Sequence, residues 1–83
     1  MQKELLSKQL IYRSSHRGCK ETDFLIGNFV EENLAKMSEE NQLLLANFLQ
    51  EDDLKIYDWI LGKEEAPEVY LALVESMKKF HNI

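Results

Sequence analysis

His16 and Cys19 stand three residues apart, a spacing at which two side chains can supply half of a zinc site. A closed zinc site takes four ligands, and the only other histidine or cysteine is the distant His81, so no metal centre is expected. The same two side chains have the types of a nucleophile and its base, but no third group stands where it would orient them. Carboxylates come in pairs: Glu31 with Glu32, Glu39 with Glu40, Asp52 with Asp53, and Glu64 with Glu65. Each pair falls at a helix start or on a polar face, where solvated acids belong, so none is assigned acid–base work. No stretch has the form of a phosphate-cradling glycine loop, which argues against nucleotide binding by this chain alone. No catalytic residue is identified, and the chain is not expected to be an enzyme.

One segment carries more than solvation. From Tyr12 to Glu21 the chain gathers Arg13, His16, Arg17 and Lys20 around a glycine, Gly18, with Arg17 and Glu21 in the pattern Arg-Gly-x-x-Glu. Two readings stand side by side. One is a surface hinge with a weak Arg17–Glu21 ion pair, worth about 0.3–0.5 kcal/mol. The other is a projecting charged corner that recognises a partner.

Helices must hold that corner, because apolar residues recur at helical spacing almost throughout and no sustained strand-like alternation is present. The pattern predicts five helices. The first runs from Lys3 to His16, with Leu5, Leu6, Gln9, Leu10 and Arg13 forming a stripe and Gly18 ending it. The second runs from Lys20 to Met37 and contains Gly27, a cost of about 1 kcal/mol that suits close approach of a neighbouring helix. Ser38 caps the third, whose apolar face is Leu44, Leu45, Phe48 and Leu49. Asp52 or Asp53 caps a short fourth helix bearing Leu54, Tyr57, Ile60 and Leu61 and stopped by Gly62. Trp59 lies off that stripe and is expected to contribute to packing of the fourth helix, with its indole edge reaching the surface. Pro67 opens the fifth, with Tyr70, Leu73, Val74, Met77 and Phe80 on its inner face. The expected architecture is all-α, a compact five-helix bundle forming one domain over residues 1–83.

Composition agrees with a folded domain: 83 residues, 45% hydrophobic and 30% charged, with a single proline. One cysteine excludes an internal disulfide framework, and no apolar run approaches the roughly 20 residues of a membrane span. Met1 to Lys8 has neither the apolar core nor the cleavage site of a signal peptide, so an intracellular compartment is expected. The net charge of -5 is unevenly spread. Residues 1–20 hold five basic groups against the single acid Glu4, while residues 21–83 hold five against fourteen acids. A basic end on an acidic body fits docking on a complementary surface, and the acidic total argues against nucleic acid.

The corner, with what flanks it, resembles a known family. Tyr12-Arg13-Ser14 precedes Arg17-Gly18-x-x-Glu21, and the apolar run from Phe24 to Phe29 follows it. Leu34-Ala35-x-Met37-Ser38, Asp53-Leu54-x-Ile56-Tyr57-x-Trp59 and Ala66-Pro67-Glu68 continue the likeness over residues 10–80. Together they are similar to the succinate dehydrogenase flavinylation factors, also described as succinate dehydrogenase assembly factor two. The resemblance implies a five-helix bundle. It also implies a chaperone-like role: gripping the flavoprotein subunit of succinate dehydrogenase, or of the related fumarate reductase, while FAD is attached covalently to a histidine of that subunit. FAD would belong to the client, with none held tightly here. Arg17, Gly18 and Glu21 would form the contact motif, with Arg13, His16, Tyr57 and Trp59 as further partner-binding positions. Arg17, Gly18 and Glu21 would be needed for the partner and dispensable for folding. Many relatives carry a bulky or basic residue before the motif, where this chain has Ser15 and His16. The matching region begins close to Met1, so a monomeric protein of the bacterial cytoplasm, away from membranes, is expected. The rival from another class is a small acidic regulatory module of antitoxin type that neutralises a protein partner.

Overall fold

The computed structural model describes residues 2–83 of the chain, and its side chains from Ser7 onward. Five α-helices follow one another: α1 (Gln2–Ser15), α2 (Lys20–Asn33), α3 (Glu39–Phe48), α4 (Asp53–Leu61) and α5 (Leu71–His81). Short 3-10 turns lie at Leu34–Lys36, after α2, and at Glu68–Tyr70, before α5. No strand is present among the described residues. The five-helix reading holds.

Local chemistry sets most of the ends. Ser38 caps α3, its hydroxyl accepting from the Asn41 N–H at 3.1 Å, and the Asp52 carboxylate does the same for the Leu54 N–H at 3.2 Å. Gly62 closes α4 in the left-handed conformation (φ 79°), which a Cβ would strain. Pro67 stands just ahead of the turn that leads into α5. The second helix, by contrast, stops at Asn33 and not at Met37. The carbonyls of Leu34 and Met37 instead receive the buried amide of Gln42, reaching across from α3, with both contacts at 3.3 Å. The Leu34 carbonyl also accepts the Met37 N–H at 3.1 Å, so the tightened turn is held by its own backbone and by a side chain from another element.

The core is built on Leu10 of α1, Ile26 and Val30 of α2, Leu45 and Phe48 of α3, Ile56 and Ile60 of α4, and Val74 and Met77 of α5. On α1 the inward positions are Leu10 and Ser14, whereas Gln9 and Arg13 face water; Leu5 and Leu6 fall outside the described side chains. Ser14 is buried because its hydroxyl donates back to the Leu10 carbonyl one turn earlier. Gly27 is where α1 crosses α2. A Cβ there would sit 3.2 Å from the Ser15 Cβ and 3.5 Å from the Ser14 carbonyl oxygen, the close approach its position suggested.

The face of α4 differs from the predicted stripe. Ile56, Trp59 and Ile60 point inward, while Leu54 is 72% exposed and Tyr57 is half-buried. Six of the nine residues of α4 are apolar or aromatic, so spacing alone does not select one face. Trp59 therefore packs the helix as expected, but its indole edge does not reach the surface: it is a core residue. Its ring centroid lies 6.0 Å from that of Phe48 and 6.1 Å from that of Tyr70, and Phe48 meets Tyr70 edge-on at 5.2 Å. This aromatic trio joins α3, α4 and the approach to α5. On α5, Leu73, Val74 and Met77 are buried as expected, but Phe80 rides at the edge, 39% exposed.

Burial first, and the nearby Glu51 carboxylate second, push the Tyr70 phenol above its ordinary value of about 10. The fold therefore favours the neutral phenol. That contribution is intact below pH of about 10 and is lost as pH rises through the folded value, because the unfolded chain releases its proton first. Denaturation midpoints should fall between pH 9 and 11, and Tyr70→Phe should make that fall shallower. An equally steep fall in the variant would assign it to other groups.

Candidate functional site

The turn between α1 and α2 is short and tied from several sides. Gly18 takes φ 93°, a conformation that favours glycine, and a Cβ built on it would meet nothing within 4 Å. Glycine is thus required by the backbone, and the space above it is open. The Arg17 N–H donates to Asp23 at 2.8 Å, across the first turn of α2.

The Arg17 side chain does not project. Its Nε donates to Asp53 at 2.5 Å, Nη1 to the Leu49 carbonyl at 2.5 Å and Nη2 to the Glu51 carbonyl at 2.7 Å. Only 11% of it is exposed, against 28% for Asp53. The planar fork suits this job, because each direction of donation meets a fixed oxygen. Leu49 and Glu51 lie just past the C-terminus of α3, where helix carbonyls lack partners and the dipole favours a cation. Asp53 opens α4. One guanidinium therefore fastens the α1–α2 corner to the α3–α4 connection. Arg17 pairs with Asp53, not with Glu21, and is a positioning residue for the corner.

Glu21 faces outward. Its own backbone N–H, then the Cys19 thiol donating at 3.4 Å, hold its carboxyl below the usual carboxylate range, with Lys20 adding a smaller pull. It is a fixed, solvent-facing anion beside the glycine. On the other side, His16 stacks on Tyr12 with ring centroids 4.1 Å apart and planes 7° from parallel. A ring nitrogen of His16 lies 2.9 Å from the Tyr12 carbonyl and 3.2 Å from the Ser15 hydroxyl. Tyr12, Arg13 and His16 face Leu49, Gln50 and Asp53 across a shallow depression of about 520 Å³.

Among the described residues, no three His, Cys, Asp or Glu side chains converge as metal ligands. The structure gathers Arg13, His16, Arg17, Gly18 and Glu21 into one corner. Trp59 is withdrawn into the core, and Tyr57, with the Lys63 ammonium 5.7 Å from its ring centroid, does not line the depression. Sequence reasoning missed Asp53 and Asp23 as the anchors of Arg17. It also missed the outward Phe24, 62% exposed and one turn beyond Glu21 on the same face of α2.

The model of a protein family described as flavinator of succinate dehydrogenase matches residues 8–81. The chain belongs to that family. Similar curated proteins include the mitochondrial succinate dehydrogenase assembly factor 2 of Dictyostelium discoideum, 37% identical over 78 residues, which are 94% of this chain and 55% of that protein. The FAD assembly factor SdhE of Acetobacter pasteurianus is 41% identical over 61 residues, 74% of this chain and 56% of its own length. The mitochondrial assembly factor 2 of Arabidopsis thaliana is 35% identical over 77 residues, 86% of this chain and 41% of its own. The chain spans about half the length of the curated relatives it matches. No solved structure matches it. Bacterial and mitochondrial members both occur among these relatives, so membership in the flavinator family does not by itself assign a compartment. No helix among the described residues is long and apolar enough to cross a membrane. In this chain the motif divides into an inward half, Arg17, and an outward half, Gly18 and Glu21.

Proposed function

We propose that the chain binds the flavoprotein subunit of succinate dehydrogenase and promotes covalent attachment of that subunit's FAD, as a non-enzymatic assembly factor acting in single copy. The flavinator-family match over residues 8–81 carries this reading, and the corner supplies its physical form. Gly18 leaves the backbone open to close approach, and Glu21 presents a fixed carboxylate to donors on the client. Arg13 and the Tyr12–His16 stack add a basic and aromatic flank. FAD supplies the electrophile, and the nucleophile is the client's histidine. The residues here dock and orient. Each glycine of this chain is occupied at a turn, a helix crossing or a helix end, which supports leaving the cofactor to the client. This reading places the work in a bacterial cytoplasm; the relative from Acetobacter supports it only in that the family includes bacterial members.

Glu21→Ala tests the reading. Glu21 is exposed, and its carboxylate is held only by its own backbone N–H and the Cys19 thiol, so helicity should be kept and the melting temperature should stay close to wild type. Loss of a charge contact that becomes desolvated at an interface costs about 2–5 kcal/mol of binding. Purified flavoprotein subunit incubated with FAD should therefore gain protein-bound flavin fluorescence in denaturing gels with wild-type factor and gain little with the variant. Equal fluorescence with and without wild-type factor would overturn the assignment.

A further inference from the structure

The corner alone is small. A stable protein–protein interface covers about 800 Å² on each partner, drawn from roughly 20–30 residues. The surface offers an extension. Phe24 of α2 meets His81 (ring centroids 5.6 Å apart), His81 meets Phe80 edge-on at 5.0 Å, and Phe80 meets Phe29 edge-on at 5.7 Å. Phe24 and Phe80 are 62% and 39% exposed. An aromatic row thus leads from the turn after Glu21 across to α5. It ends at an open groove of about 490 Å³ between α2, α3 and α5.

The groove has an apolar floor, Phe29 and Leu73, and apolar sides, Met37, Leu44 and Phe80. Its polar residues are already engaged in part: the Asn33 amide donates to the Phe29 carbonyl and the Ser76 hydroxyl to the Ala72 carbonyl. Two lysines line it, Lys36 and Lys79, and neither has an ion-pair partner among the described residues. No acid lines it, although residues 21–83 hold fourteen acids against five basic groups. On an otherwise acidic body, this is a local site of opposite sign around an apolar floor.

We propose that this groove is a second docking surface for the client, seating a flavoprotein segment that carries an apolar side chain next to acidic residues. The inference rests on the assembly-factor reading above. The apolar side chain covers Phe29 and Leu73, the carboxylates meet Lys36 and Lys79, and the aromatic row joins this contact to the one at Glu21. Aromatic residues around a desolvated centre with a charged rim are the usual anatomy of such a contact.

The test is the dissociation constant between the full chain and purified flavoprotein subunit lacking covalent FAD. Three variants are compared with wild type: Lys36→Glu with Lys79→Glu, Lys36→Arg with Lys79→Arg, and Ala72→Trp, which fills the groove from an exposed helix position. Charge reversal should weaken binding by about tenfold or more at low salt, a loss that shrinks as the salt rises to about 1 M and the screening length falls to about 3 Å. The arginine pair should stay within about threefold of wild type, and Ala72→Trp should weaken binding by about tenfold at either salt. Circular dichroism and melting temperature should match wild type throughout. If charge reversal or Ala72→Trp leaves binding within twofold of wild type while Glu21→Ala still weakens it, the groove is not a docking surface and the corner stands. Wild-type chain that neither binds the subunit nor supports its flavinylation would overturn both readings together.

Discussion

Arg17→Ala should destabilise the fold by about 3 kcal/mol and, through that, weaken flavinylation. The expected size comes from what the guanidinium leaves behind. Removing one partner of a buried ion pair typically costs about 3–5 kcal/mol, because the remaining charge loses its compensation. Here Asp53 keeps some access to water, 28% exposed, which places the cost at the lower edge. The Leu49 and Glu51 carbonyls lose their donors in the same substitution. A domain of this length has a total stability of about 4–12 kcal/mol, so the loss is a large fraction of it. At about 4–8 °C per kcal/mol for a domain of this size, the melting temperature should drop by about 12–24 °C. Arg17→Lys should recover part of this through the Asp53 pair alone, since an ammonium cannot reach both carbonyls as a fork does. Asp53→Ala should cost a comparable amount, and the double variant less than the sum of the singles, as expected for two residues in one contact. A melting temperature unchanged in Arg17→Ala would return this side chain to the client-facing surface. The sequence expectation is that Arg17 is dispensable for folding, and the three anchored contacts of its guanidinium argue the opposite outcome for this experiment.

What could be read from the chain, and what could not, divides along the range of the interactions. Ser38, Asp52, Gly62 and Pro67 act on backbone groups within a few residues, so their chemistry marks helix ends before any fold is known. Gly27 announced a close crossing for the same reason, although the Ser14–Ser15 backbone it admits could not be named. The end of α2 was misplaced because Leu34-Ala35-Lys36 continues a helical pattern, and the group that accommodates the tightened turn, Gln42, belongs to another helix. The Arg17–Asp53 pair spans thirty-six positions, and nothing local to either residue points to the other. The motif located the corner. It did not reveal that one half of the motif is spent on holding the corner together while the other half faces out. The face of α4 was undetermined for a different reason: with apolar residues on nearly every side, only packing against α3 and the approach to α5 selects Ile56, Trp59 and Ile60 over Leu54.

That selection has a measurable consequence, since Trp59→Ala should destabilise the chain by about 3–5 kcal/mol and leave much of it unfolded at 37 °C. Trp59 is 4% exposed, and its ring touches two others that themselves meet edge-on. Its removal opens a cavity where α3, α4 and the approach to α5 converge, and neighbours as rigid as Phe48 and Tyr70 can collapse into it only in part. The aromatic geometry adds about 0.5–1.5 kcal/mol per pair beyond area burial, so Trp59→Phe should retain more stability than its lost volume alone implies. Leu54 is the internal control on the same helix. At 72% exposed it contributes little packing, and Leu54→Ala should change stability by no more than about 0.5 kcal/mol. Urea denaturation followed by circular dichroism at 222 nm measures all three. If Trp59→Ala melted with wild type while Leu54→Ala fell, the α4 face would be the one that spacing suggested, with Leu54 inside and Trp59 free to meet a partner. The opposite order fixes Trp59 as the element that seats α4, and with it Asp53, where Arg17 can reach it.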